Sequence, residues 1–199
     1  MSQLKSILYS LCVSRFKKYN PGNFDHGYFS NYESFPSVER ARLFKNYFLP
    51  VNALDAGCGT GNLVWGFRRL GVTAFGVDQS EIPIHKASEE IRPCLRVGDI
   101  LNLNFPGKEF DLVTCCDVLE HIPFPECGRA VDELYRITRK WLLFSICLWT
   151  EKNARMDPTH INLHSKKWWG RYFKRKGFTL ETVPEGFPSL RNSFIVRKS

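Results

Sequence analysis

Between the apolar run Val51–Leu54 and an apolar helical pattern beginning at Leu63 stands Asp55-Ala56-Gly57-Cys58-Gly59-Thr60-Gly61-Asn62, an acid followed by three alternating glycines. This order predicts a strand, a tight turn and a helix start. Alternating glycines remove side chains where a ligand must lie against backbone, and the first turn of a helix offers N–H groups with no partner of their own. The loop is therefore suited to a cofactor. A dinucleotide fingerprint, G-x-G-x-x-G, counted from Gly57 needs a third glycine where Asn62 stands, so close pyrophosphate packing is not indicated. A Walker loop is absent as well.

Two further acids are placed to complete such a site. Thr73-Ala74-Phe75-Gly76-Val77-Asp78 reads as a second strand ending in a carboxylate, seventeen positions beyond Gly61. A carboxylate there can accept both hydroxyls of a ribose. Leu95–Ile100 reads as a third strand with Asp99 near its end, and Phe110–Cys116 as a fourth. Together these elements resemble the class I S-adenosylmethionine-dependent methyltransferases, over roughly residues 23–199. The resemblance implies S-adenosylmethionine as cofactor. Asp55, Gly57, Cys58, Gly59 and Gly61 would cradle its methionine part, Asp78 with Gln79 beside it the ribose, and Asp99 with the Ile100 backbone the adenine. Cys115 would lie near the sulfonium.

Two constellations are candidates for the chemistry. Asp117-Val118-Leu119-Glu120-His121 follows the fourth strand and resembles the "LEH" element of small-molecule methyltransferases, among them the ubiquinone-biosynthesis O-methyltransferases. In those enzymes an acid with a Glu-His pair three and four positions later has been proposed to hold a divalent metal. Asp117, Glu120 and His121 match that spacing, but the reading adopted is structural, with no metal expected and Asp117 facing the substrate. Asp157-Pro158-Thr159-His160-Ile161-Asn162 marks a loop after the fifth strand, and Ser165 is a suitable N-cap for the helix that follows. The run from His160 through Ser165 and Trp169 to Gly177-Phe178 resembles an acceptor-pocket element of one branch of the family. His160, with His121, is expected to be catalytic, since an imidazole titrates near neutral pH and can take a proton as the methyl arrives. The alternative is a histidine that only ties its loop to the sheet. Asn162, Tyr28 and Tyr32 are expected to face the acceptor, Tyr28 and Tyr32 as part of a lid.

The elements needed to position these residues form one doubly wound α/β sheet. Helical patterns at about 2–19 and 37–48 precede the first strand; helices near 62–70, 80–91, 125–139 and 165–176 alternate with the strands. Trp141–Leu148, Phe178–Val183 and Ser193–Arg197 supply strands five to seven. The family resemblance implies a Rossmann-like seven-stranded sheet whose last strand inserts antiparallel between the fifth and sixth. Residues 1–50 are expected to form a helical cap and lid, and residues 51–199 the cofactor-binding domain.

Composition fits this reading. With 199 residues and 43% hydrophobic content, the chain can bury a core without disulfide staples. Its seven cysteines are odd in number and do not fall at metal-ligand spacings, which points to a reducing cytoplasm. Leu4, Ile7, Leu8, Leu11, Cys12 and Phe16 are spaced for a helix, interrupted by Lys5 and Arg15, and do not read as a signal peptide. The net charge of +8 is uneven: residues 51–128 hold 6 basic and 11 acidic residues, residues 129–199 hold 15 and 6. That excess suits an acidic acceptor. Lys166, Lys167, Arg171, Lys174, Arg175 and Lys176 surround Trp168, Trp169 and Tyr172, which leaves RNA methylation as an alternative function. The plainer reading is a solvated helix face without stable nucleic-acid binding. The expected function is methyl transfer to an oxygen or nitrogen of a small molecule, sugar or peptide. A catalytically silent relative that keeps the fold is the remaining alternative.

Overall fold

The computed structural model describes residues 37–151, 154–184 and 192–198. Strands and helices alternate as α1 (Ser37–Phe48), β1 (Asn52–Ala56), α2 (Asn62–Arg69), β2 (Thr73–Asp78), α3 (Glu81–Lys86), β3 (Leu95–Val97), β4 (Phe110–Cys116), α4 (Phe124–Ile137), β5 (Thr138–Ser145), α5 (Lys166–Arg175), β6 (Thr179–Glu181) and β7 (Ser193–Arg197). Short 3-10 turns, Arg92–Cys94 and Leu119–His121, precede β3 and follow β4. The lid residues Tyr28 and Tyr32 and the helix expected near 2–19 lie outside the described residues.

One seven-stranded sheet results, in the order β3-β2-β1-β4-β5-β7-β6. Every pairing is parallel except those of β7, which runs antiparallel to both β5 and β6. This is the Rossmann-like arrangement, with the last strand inserted as expected. The strand order reverses between β1 and β4, so their carboxyl ends open a crevice there.

Because β1 and β4 are covered on both faces, their side chains divide between two cores. Leu54, Ala56, Val113 and Cys115 face the layer of α4 and α5, where they meet Leu134, Trp169 and Phe173. Ala53 and Leu112 face α1 and α2, against Phe44, Val64 and Phe67. Helix α4 buries Cys127, Ala130, Val131, Leu134 and Ile137, a spacing of three and four that keeps one stripe inward. Each large apolar side chain buried in this way contributes about 1.5–3 kcal/mol.

Three boundaries differ from the sequence reading. Helix α3 ends at Lys86 rather than near 91, because Ala87 is extended (φ −59°, ψ 146°) and a turn leads into Arg92-Pro93. Strand β3 stops at Val97, leaving Asp99 and Ile100 in the loop beyond it. Strand β5 begins at Thr138, where the end of α4 passes directly into the sheet opposite Phe110.

Candidate active site

The glycine loop follows directly from β1. Gly57, Gly59 and Gly61 all have positive φ (81°, 55° and 79°), a region that side-chain-bearing residues avoid. Space is equally restrictive, since a Cβ on Gly61 would lie 2.8 Å from Leu95 Cδ1 and one on Gly57 would run into the Val118 side chain. The loop is fastened to β2: Gly57 N–H and Cys58 N–H both donate to Val77 O (2.7 and 3.1 Å). Cys58 Sγ is accommodated only because Gly76 has no side chain; a Cβ there would stand 2.7 Å from it.

Asp78 has a structural task as well as its expected one. Its Oδ2 accepts from Gly59 N–H (2.8 Å) and its Oδ1 from Ser80 N–H (2.9 Å), so the carboxylate at the end of β2 holds the loop in shape. Burial pushes its pKa up against those two donors. Asp55 is buried beneath the loop and accepts from Thr114 Oγ1–H (2.7 Å); burial raises its carboxyl to about 6. Beyond β2 and β3, Gln79 and Asp99 are exposed, and Asp99 Oδ1 caps its own turn through Leu101 N–H (2.8 Å). Cys115 points into the α4 and α5 core, fully buried, and Cys116 is the half-buried cysteine at the end of β4. Gly61 opens α2 without a side-chain cap, so the first N–H groups of α2 are left for a ligand. Glycine backbone at φ values no other residue favours, uncapped N–H groups and a carboxylate at the end of β2 fit the amino-acid and ribose ends of S-adenosylmethionine.

A second group assembles where β4 and β5 end. Asp117 adopts φ 55° and donates its N–H to Ser145 O (2.8 Å), which turns the chain into Leu119–His121. Glu120 is fully buried. Its main-chain carbonyl accepts from Ile161 and Asn162 N–H (both 2.9 Å), and its Oε1 accepts from Cys147 N–H (2.7 Å). Its Oε2 has no partner among the described residues, and burial, with Asp117 nearby, pushes the carboxyl above the usual range. A carboxyl oxygen of Glu120 and a ring nitrogen each of His121 and His160 lie within 4.8 Å of one another. The set differs from the Asp117, Glu120 and His121 spacing noted in the sequence: His160 comes in from the other loop.

His160 is close to His121, with ring centroids 4.8 Å apart, and keeps 12% side-chain exposure. Its Nδ1 is 2.7 Å from Ala154 O, and its Nε2 3.7 Å from Asp157 Oδ2. His121 is buried; burial, and then the neighbouring His160, lower its pKa to about 4, so it is neutral at physiological pH. Asp157 is half-buried, which raises its carboxyl, but Thr159 O–H and N–H and the two imidazoles outweigh that and leave it ionised. Asn162 has both ends of its amide engaged, Nδ2 donating to Leu119 O (3.0 Å) and Oδ1 3.0 Å from His164 Nε2, so it ties the loop to the Leu119–His121 turn.

Ser165 caps α5 through Trp168 N–H (3.2 Å). The aromatic residues beyond it are not an open stacking platform: Trp169 and Phe173 are fully buried, and Trp168 is already stacked between His164 and Tyr172. Lys176 is withdrawn to Asp132 (2.6 Å) and Gly128 O. A groove of about 400 Å³ runs between α5 and the β6–β7 edge, lined by Lys166, Lys167, Arg171 and Lys174, and includes none of the expected site residues.

Sequence reasoning missed Thr114, Asp157 and Thr159. Asp157-Pro158-Thr159 carries only the signature of a turn, and its position beside His121 exists only once β4 and β5 pair.

Residues 54–143 match the family model described as "Methyltransferase domain". A ubiquinone biosynthesis O-methyltransferase from Coxiella burnetii is 34% identical over 80 residues, 38% of this chain and 34% of that protein. A magnesium-protoporphyrin O-methyltransferase from Synechocystis is 30% identical over 96 residues, 46% of this chain and 42% of that one. The chain thus spans about a third to two fifths of the length of these curated relatives. Among solved structures, a SAM-dependent methyltransferase from Archaeoglobus fulgidus superposes with TM-score 0.66 at 18% identity, over 87% of this chain and all of that one. Residues 54–143, which carry the glycine loop and the Leu119–His121 turn, are thus similar to a methyltransferase domain, and the sheet order is that of a Rossmann-like fold.

Proposed function

We propose that the protein methylates a hydroxyl oxygen of a small molecule, using S-adenosylmethionine. The carrying observation is the juxtaposition at the carboxyl ends of β1, β2 and β4: a glycine cradle braced by Asp78, and beside it the cluster of Glu120, His121 and His160. The O-methyltransferases among the relatives favour oxygen over nitrogen. When bound, the cofactor supplies a methyl group on a sulfonium, an electrophile that needs alignment more than activation.

The chain's own residues then have three tasks. Gly57, Gly59 and Gly61 with the start of α2 hold the amino-acid end, Asp78 and Gln79 the ribose, and the Asp99–Ile100 loop the adenine. Asp117 and the two imidazoles shape the acceptor side, and Asn162, buried with both ends of its amide engaged, holds their loop in place rather than facing the acceptor as expected. His160 is assigned the proton, because it retains exposure while His121 is neutral and enclosed. His160 Nε2 would accept the acceptor's hydroxyl proton as the methyl group of the bound cofactor is transferred to that oxygen.

Calorimetry with S-adenosylhomocysteine tests the cofactor half, and transfer of a labelled methyl from S-adenosylmethionine to a panel of small hydroxylated acceptors tests the rest. Binding to the wild type is expected, weakened in Asp78→Ala. Undetectable binding to the folded wild type overturns the reading.

A further inference from the structure

The second group contains an ordered chain of hydrogen bonds that its catalytic use does not by itself require. Thr159 Oγ1 lies 2.5 Å from Asp157 Oδ1, which also accepts from Thr159 N–H (2.8 Å). An ionised carboxylate only accepts, so the hydroxyl proton of Thr159 points to Asp157. His121 Nδ1 lies 2.9 Å from that same hydroxyl oxygen and 3.3 Å from Thr159 O. Both oxygens then present only lone pairs to the ring. Nδ1 must therefore carry the hydrogen, and Nε2 the lone pair.

His160 is fixed by the same logic from a different direction. Its Nδ1 faces Ala154 O at 2.7 Å, and a carbonyl can only accept, so His160 Nδ1 likewise carries a hydrogen. Asp157 Oδ2 then lies 3.7 Å from the Nε2 that would become charged. One carboxylate thus serves two imidazoles, through Thr159 on one oxygen and by direct proximity on the other.

We propose that Asp157 and Thr159 are positioning residues of the site: Thr159, oriented by Asp157, locks His121 in its Nδ1–H form, and Asp157 stands beside His160 Nε2 to stabilise the proton that arrives there. The assignment to catalysis rests on the methyl-transfer reading above, whereas the tautomers are a property of the free protein. The role parallels that of a carboxylate behind a catalytic histidine, which orients the ring and favours its charged form without touching substrate.

The experiment uses the full chain with ¹⁵N-labelled histidine. Long-range ¹H–¹⁵N spectra should show His121 as the Nδ1–H tautomer at neutral pH and a hydrogen on His160 Nδ1, with His121→Gln and His160→Gln assigning the signals. Thr159→Val should shift His121 toward a tautomer mixture, and Thr159→Ser should restore it. In single-turnover methylation, Asp157→Asn should lower the rate roughly 10-fold to 100-fold with acceptor KM unchanged, less than the 10²-fold to 10⁴-fold of losing a base outright. An Nε2–H tautomer for His121 in the wild type, or one unmoved by Thr159→Val in a protein whose thermal melt is intact, overturns the proposal. An Asp157→Asn loss that appears only in KM overturns the catalytic part. Failure of S-adenosylhomocysteine to bind defeats the functional reading and leaves the tautomer result standing, so the two are separable.

Discussion

Asp111 sits at the start of β4, about 20 Å along the strand from Asp117 at roughly 3.3 Å per residue, and ties three strands together. Its side chain is 1% exposed, yet it accepts from Val51 N–H ahead of β1 (3.0 Å) and from Arg139 Nε (2.9 Å) and Lys140 Nζ (3.1 Å) on β5. Burial by itself would raise the carboxyl; Arg139, the Val51 N–H and Lys140 together outweigh burial and bring it from 3.8 to about 2. That displacement corresponds to about 2.5 kcal/mol at 1.36 kcal/mol per pKa unit. Arg139 and Lys140 are 44% and 55% exposed, so solvent screening reduces the figure to about 1–2 kcal/mol. Because the folded pKa lies below the unfolded one, this stability is fully present above the unfolded value and is lost as pH falls through the folded value. Urea unfolding of wild type and Asp111→Asn should therefore differ by about 1–2 kcal/mol at pH 7, with the gap starting to close below about pH 4 and narrowing further in about 1 M salt. Affinity for S-adenosylhomocysteine should be the same in both, since the residue lies at the far end of its strand. A gap that stays constant or widens on acidification would refute the electrostatic account.

Gly61→Ala should cost about 1–3 kcal/mol from a left-handed alanine pressed on Leu95, and should weaken S-adenosylhomocysteine binding by calorimetry; an unchanged melt would show that the loop relaxes freely. Chelator treatment should leave methylation unchanged if Glu120, His121 and His160 handle a proton, and recovery that depends on added divalent metal would show that they hold an ion instead. Reversing Lys167, Arg171 and Lys174 to Glu should barely move the thermal midpoint, and any affinity of the wild type for mixed RNA should be weak and collapse with salt; selective binding that persists at high salt would restore the RNA reading.

What the sequence determined was whatever depends on local order along the chain. Asp55 through Gly61 declared a strand, a turn and a helix start, because alternating glycines after an apolar run have few other uses, and Ser165 declared the start of α5 through its hydroxyl. Even the place of β7 followed, though only by resemblance, since periodicity says nothing of strand order. The tertiary structure decided where side chains from separate loops meet. Asp78 looked like a ligand for ribose, and the fold shows it also bracing Gly59 from nineteen positions away. Trp169 belonged by type to a surface that could stack bases, and packing against the sheet buried it. His160 and His121 stand thirty-nine positions apart in the chain, and their approach, with Thr159 and Asp157 behind them, arises because β4 and β5 end side by side and Glu120 O binds the N–H groups of Ile161 and Asn162. No periodicity encodes that approach, because hydrogen bonds between loops are set by where the strands beneath them stop.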